Sequence, residues 1–565
     1  MKLRKTFAAP LVAGLVVSLA ACSQAGTNSP GGTGNESSRP LNSQAINSKA
    51  RDAVADGGEL RLPINGLAEN WNPMNVAGNE VDYTEVRQVI QPRFFNFDAE
   101  GTGTFEKAFL SKEPTVSNDG GKTVVTFHLN PKAVWGDGVK ISAKDFEATY
   151  KACDGTNEKF ECATTEGYEE IESIKQGATA DDVVVTYKTT YPDWKNTFST
   201  GPMRAESVAD PTVFNTGWTT LTGHDGWFSG PYKVGSYDET SKMVTLVPND
   251  KWWGDKPKLS KVIFRVVPIE AQPQAYANNE IDSFDIGVNA DSYARAQQVS
   301  TGEIRRAAGP QWRHITLNQD SGLLKDKTIR QAILMALDRG EIGKSDLAGM
   351  NWDAKELNSH VFMTGQKQYK DLATETGLKF DREKAKKTLE DAGWKVGSDG
   401  FRAKDGQVLE VKFSQLKGVK VSENEAQQFQ SQLKEVGIKV TLVDVASKDF
   451  SPTLAKRGFE SIAFTWVGTP FPYGALNQFF SSKSSSNYSG YNNPAVEETI
   501  KKISTEMDPA KRDGYVLDAE KQIWDDVQII PLYQRPEQYA VNAKVANYGA
   551  FGLSNPQWEN IGFVK

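Results

Sequence analysis

Histidine and cysteine are scarce in this chain: four and three among 565 residues. His128, His224, His314 and His360 are widely spaced and form no H-E-x-x-H pair, which excludes a zincin helix. There is no G-x-S-x-G elbow and no P-loop. Carboxylate pairs such as Asp98 and Glu100 carry no mark of catalysis. The expectation is therefore a protein that is not an enzyme, with no cofactor and no metal. Clustered positive charge is also missing. The formal net charge is −7, and loss of Met1–Ala21 with Lys2, Arg4 and Lys5 lowers it by three, to −10. An acidic surface without a basic stripe excludes nucleic acid as a partner and a polybasic grip on anionic lipid. No apolar run after Ala21 approaches membrane-spanning length, and no internal repeat is apparent.

What is present begins at the N-terminus. Lys2, Arg4 and Lys5 precede an apolar run from Phe7 to Ala21, too short for a membrane span, with small residues at its exit. That pattern is a secretory signal over residues 1–21. Leu19-Ala20-Ala21-Cys22 resembles the bacterial lipobox, which implies that Cys22 is diacylated and becomes the new N-terminus. Export to the outer face of the cell membrane, held by lipid, is the expected location. Residues 22–56, rich in Gly, Ser, Asn, Thr and Pro, are expected to form a flexible tether, because they bury too little apolar surface to offset their ordering entropy. Cys153 and Cys162 remain as an even pair in an oxidising compartment, so a disulfide is expected. A metal pair lacks a neighbouring His, and a redox pair would want C-x-x-C spacing.

Strand and helix signals interleave over the rest of the chain, which indicates an α/β body of more than one lobe. Gly120-Gly121 marks a turn before the alternating Lys122–Leu129. Ser142 and Asp145 make a capping box for a helix over Ser142–Lys151. Asp508 and Pro509 start a helix over Pro509–Asp526. Helices are also expected at Val81–Phe95, Lys327–Leu337, Arg382–Ala392, Glu423–Val436 and Asn493–Glu506.

Several segments stand in an order that resembles the solute-binding proteins of ABC importers for peptides, the large dipeptide/oligopeptide-binding group known as family 5. They are Trp135-Gly136-Asp137-Gly138 running on to Asp145-Phe146, Gly230-Pro231-Tyr232, Asn249–Trp253, Asn279-Glu280-Ile281-Asp282, Ile329–Ala332 with Ala336–Arg339, Asp381–Trp394, and Gly437–Val440. Nearly all are scaffold motifs: Asp137 and Gly138 suit a turn, and Asp338 and Arg339 a salt bridge or helix-end contact. The resemblance implies a two-lobed periplasmic-binding-protein-like clamshell of class II. Lobe one would comprise residues 57–95, an inserted subdomain at 96–218, residues 219–312 and a C-terminal return at 531–565. Lobe two would run over 313–530. Lobe closure would bury a peptide and present it to an ABC permease and its ATPase subunits, the receptor itself being a monomer. An oligosaccharide or other small polar solute is the alternative ligand, and a secreted hydrolase a more remote one.

A buried polar solute needs its charges paired and aromatic walls around it. The resemblance places ligand contacts at Asn70, Trp71 and Asn72 after the first strand, at Trp227 and Ser229 before Gly230, and at Trp312 and Asn318 near the first lobe crossing. It adds Trp466, Gly468, Thr469, Phe471 and Tyr473 after the strand Ser461–Trp466, with Tyr488 and Tyr491 beyond. For each aromatic the competing role is core or inter-lobe packing. The family often carries an Asp between the positions of Trp466 and Tyr473 to meet a peptide's amine, and here there is none. Glu69 and Asp225 are the substitutes considered.

Overall fold

In the computed structural model, residues 43–565 are described, with the side chains of Val81 and Asp82 left aside. The signal segment, Cys22 and the first part of the expected tether lie outside the described residues.

The chain is a two-lobed α/β clamshell. In lobe one, Glu59–Ile64 pairs in parallel with Lys261–Val266, which continues antiparallel to Met243–Pro248 and Tyr232–Asp238. An inserted antiparallel sheet orders Thr115–Asp119, Lys122–His128, Asp182–Tyr187 and Ile171–Gln176. Its first hairpin closes through Gly120 and Gly121, both at positive φ (58° and 82°), the geometry a two-residue turn needs to match strand twist. The sheet buries Phe94, Phe127, Phe146 and Phe198 in a core of its own. The Ser142–Asp145 capping box forms as expected.

Lobe two is built on six strands in the order Ser283–Asp285, Ile529–Asn542, Gly302–Leu317, Ser461–Val467, Glu410–Leu416, Lys439–Val445. Helices cover both faces, giving two apolar cores. The helix at Pro509–Asp526 has Asp508 as N-cap, bonded to the Ala510 and Lys511 amides. The helix at Val81–Ile90 is shorter than expected, because Pro92 cannot continue it.

Two long strands join the lobes. Gly302–Leu317 (16 residues) and Ile529–Asn542 (14 residues) pair antiparallel, and the expected crossing points at Trp312/Arg313 and Ile530/Pro531 fall within them. Their register shifts between Ala308 and Trp312, where Ala308 stands opposite Pro536. Pro310 and Pro536 have no N–H to give to the ladder, so pairing lapses midway. Freed carbonyls are taken up by side chain and neighbouring strand: Gln534 Nε2 donates to Gly309 O (2.7 Å) and the Gly468 amide to Pro310 O (2.7 Å).

The expected tether needs one correction. Its last stretch, from Ser43, is packed on lobe one. Ala45 pairs with Ala550 through two backbone bonds (2.8 and 3.0 Å), Val54 bridges Val564 and is fully buried, and Arg51 Nη1 donates to Glu559 O (2.8 Å). Overall composition describes 22–56 as a coil, but Ala45, Ile46 and Val54 meet open backbone near the C-terminus and pair with it.

Candidate functional site

The crossing strands form the floor between the lobes. Along the second of them Arg535, Glu537 and Tyr539 alternate with Gln534, Pro536 and Gln538 and so share one face. Asp285 lies directly across from Tyr539 on the neighbouring strand. Arg535 is buried and its Nη1 donates to Gln311 Oε1 (2.8 Å) at the edge of the bulge. The Tyr539 hydroxyl is pushed well above its ordinary pKa by burial, and then by the carboxylates of Asp285, Glu85 and Glu537. Glu85 comes from the Val81–Ile90 helix of lobe one.

Burial moves the Glu537 carboxyl from 4.5 up to about 7, against amide bonds from Gly552 (2.7 Å) and Phe551 that lower it. Because the folded pKa exceeds the unfolded one, the folded chain holds the extra proton between those values. Stability attributable to this group is then complete below about pH 4.5 and declines as pH rises through about 7. Glu537→Gln should flatten that decline and stabilise the fold at pH 8 by roughly 1–3 kcal/mol. Urea unfolding at pH 5 and pH 8 measures it, and an unchanged slope would count against the assignment.

Lobe two meets the inserted subdomain along a seam. Phe471 packs edge-on against Phe97 (5.3 Å), and Gln366 Nε2 reaches Glu100 O (3.4 Å). Further along, Arg512 Nη1 and Nη2 hold Asp193 Oδ1 and Oδ2 at 2.9 and 2.6 Å, and Thr123 Oγ1 lies 3.9 Å from Met507 Sδ. Among the described residues no group of three or more His, Cys, Asp or Glu is arranged to hold a metal ion.

The residues singled out from the sequence do not gather at one place. Trp71 is fully buried in the lobe-one core beside Tyr83 and Tyr237. Asn70 and Asn72 spend their side-chain amides on Asn215 O (2.8 Å) and Phe214 O (3.0 Å), pinning their loop. Trp227 stacks on His224 (3.8 Å), and Ser229 Oγ donates to Val134 O (2.6 Å). Trp312 and Trp466 are paired cross-strand and buried in a lobe-two core, with Tyr488 stacked on Trp466 (5.8 Å). Asn318 Nδ2 binds Arg457 O and Phe459 O (3.0 and 2.9 Å), and Tyr491 OH binds Asp526 (2.9 Å). The loop after Trp466 does face lobe one. Gly468 abuts the bulge, Thr469 Oγ1 accepts the Phe471 amide (3.1 Å), Phe471 is in the seam, and Tyr473 lies under Arg512. Glu69 and Asp225 are solvated, and Cys153 and Cys162 are bonded (Cα–Cα 5.8 Å). The floor residues Glu85, Asp285, Arg535 and Glu537 were not among the sequence candidates. Period-two charge along Arg535–Tyr539 was the available signal.

Known proteins share this fold. Residues 63–487 match the family model described as bacterial extracellular solute-binding proteins, family 5, middle. The oligopeptide-binding protein OppA of Mycobacterium tuberculosis (strain ATCC 25618 / H37Rv) is 32% identical over 564 residues, covering 98% of this chain and 93% of that protein. Among solved structures, the periplasmic EDTA-binding protein EppA superposes with a TM-score of 0.82 at 23% identity, covering 94% of this chain and 100% of that one. The oligopeptide-binding protein AppA from Bacillus subtilis, in complex with a nonapeptide, gives 0.69 at 20% identity, covering 91% and 100%. With a family match over most of its folded length and a relative aligned almost end to end, this chain belongs to the family 5 bacterial extracellular solute-binding proteins.

Proposed function

We propose that this protein captures oligopeptides in the cleft between its lobes and hands them to an ABC import permease, while a lipid on Cys22 keeps it at the outer face of the membrane. The near end-to-end likeness to an oligopeptide-binding protein carries this reading. The floor adds chemical support. Glu85, Asp285 and Glu537 with Arg535 beside them give the floor acidic and basic groups together, which suits a solute with polar ends. Main-chain amides of an extended peptide would pair with strand edges, leaving side chains in hydrated pockets.

Ligand that binds only the folded state stabilises it by about 2.7 kcal/mol at a hundredfold excess over Kd. Pools of short peptides should therefore raise the thermal midpoint, and oligosaccharides should not. A rise with sugars alone would overturn the peptide reading.

A further inference from the structure

The seam contains one contact that is built rather than incidental. Arg512 sits in the first turn of the helix Pro509–Asp526 and is nearly buried. Its Nε donates to Ile503 O (2.8 Å), and its guanidinium lies 4.1 Å over the Tyr473 ring. Tyr473 is itself fixed, its hydroxyl donating to Asp513 Oδ1 (2.7 Å). All of these partners belong to lobe two. They leave the two terminal nitrogens aimed across the seam, where Asp193 of the inserted subdomain receives both. A fork held on one side before its partner arrives loses little freedom on pairing, and the planar guanidinium suits a carboxylate as no ammonium does.

The loop Gly468–Gly474 ties this clasp to the rest of the cleft. One end abuts the bulge in the floor, the middle places Phe471 against Phe97, and Tyr473 carries Arg512. The loop thus links floor and seam, and the clasp closes the seam at its far end. An occupant with both ends inside leaves the seam whole, whereas one that projects through it must part Arg512 from Asp193.

We propose that the Arg512–Asp193 clasp is a specificity device: it slows release of enclosed ligands and sets an upper limit on their length. This rests on the peptide reading above. Arg512 and Asp193 act here as positioning residues, holding the lobes rather than touching the ligand.

The full chain in detergent micelles can be offered random peptide pools of fixed length, from three to twelve residues, with bound mass and dissociation rate recorded. The wild type should retain the short pools and reject the long ones. Asp193→Asn should release short peptides at least tenfold faster and accept the long pools. Arg512→Lys, which keeps the charge but loses the fork, should fall between. A wild type that takes all lengths equally would overturn the length limit, and an Asp193→Asn variant with wild-type release and length profile would overturn the clasp. Should no pool bind the wild type, the peptide reading fails, and small-angle scattering then judges the clasp alone. A larger radius of gyration in Asp193→Asn than in the wild type would support it, and equal radii would overturn it.

Discussion

Replacing Arg313 with Met should destabilise the protein by about 5 kcal/mol, and replacing Glu425 with Ala by nearer 3 kcal/mol, the two ends of the range for breaking a buried ion pair. Arg313 lies on the first crossing strand and Glu425 on the helix Lys420–Lys434, fully buried beneath it. Arg313 Nε donates to Glu425 Oε1 (2.8 Å), Nη2 to Oε2, and Nη1 to Thr465 Oγ1 (3.1 Å). The asymmetry comes from a third group. Asp346 lies close by, half-buried and bonded to Asn424 (2.6 Å) and Tyr533 (3.0 Å). Burial first, and the Glu425 charge second, hold its carboxyl well above the usual range. Losing Glu425 removes that repulsion and lets Asp346 ionise beside Arg313, which restores part of the pairing. Losing Arg313 leaves the fully buried Glu425 without its bonded cation. Urea midpoints of the two variants measure the difference, and equal, sub-kilocalorie losses would contradict it.

The Cys153–Cys162 bridge should be worth about 3 kcal/mol, since closing a loop of roughly ten residues removes that much chain entropy from the unfolded state. It joins the end of the helix Ala143–Cys153 to a strand-like segment stitched to lobe one. In that segment the Val76 amide donates to Glu161 O (2.9 Å) and the Ala163 amide to Met74 O (2.8 Å). Replacing both cysteines with Ser should lower the unfolding midpoint and abolish its sensitivity to reductant. A double variant as stable as the oxidised wild type would rule the staple out.

Local signals in the sequence carry through to the fold because they act over a few residues. Ser142 with Asp145, Asp508 with Pro509, and the Gly120-Gly121 turn each satisfy backbone groups next to themselves. The site was less legible for a physical reason. Trp312 and Trp466 alternate correctly for a strand, but alternation names two faces without saying which is roofed by a helix. Both side chains point into the layer with His314 and Phe479. Asn70 and Asn72 look like ligand donors until Phe214 and Asn215, more than 140 positions away, come to take their amides. The Arg313–Glu425 pair, 112 positions apart, leaves no mark in sequence at all. The family pattern points to the loop of Phe471 and Tyr473, and their part in the seam needed the inserted subdomain in place.

The docked residues from Ser43 to Asp56 bear on how the receptor meets its membrane. With Cys22 anchored as proposed, the chain from there to Ser43 could span no more than about 70–75 Å even fully drawn out. The leash is made fast to lobe one, beside the C-terminal strand that pairs with Val54. Lobe one would then be the moored half, joined to lobe two by two strands whose pairing lapses between Ala308 and Trp312.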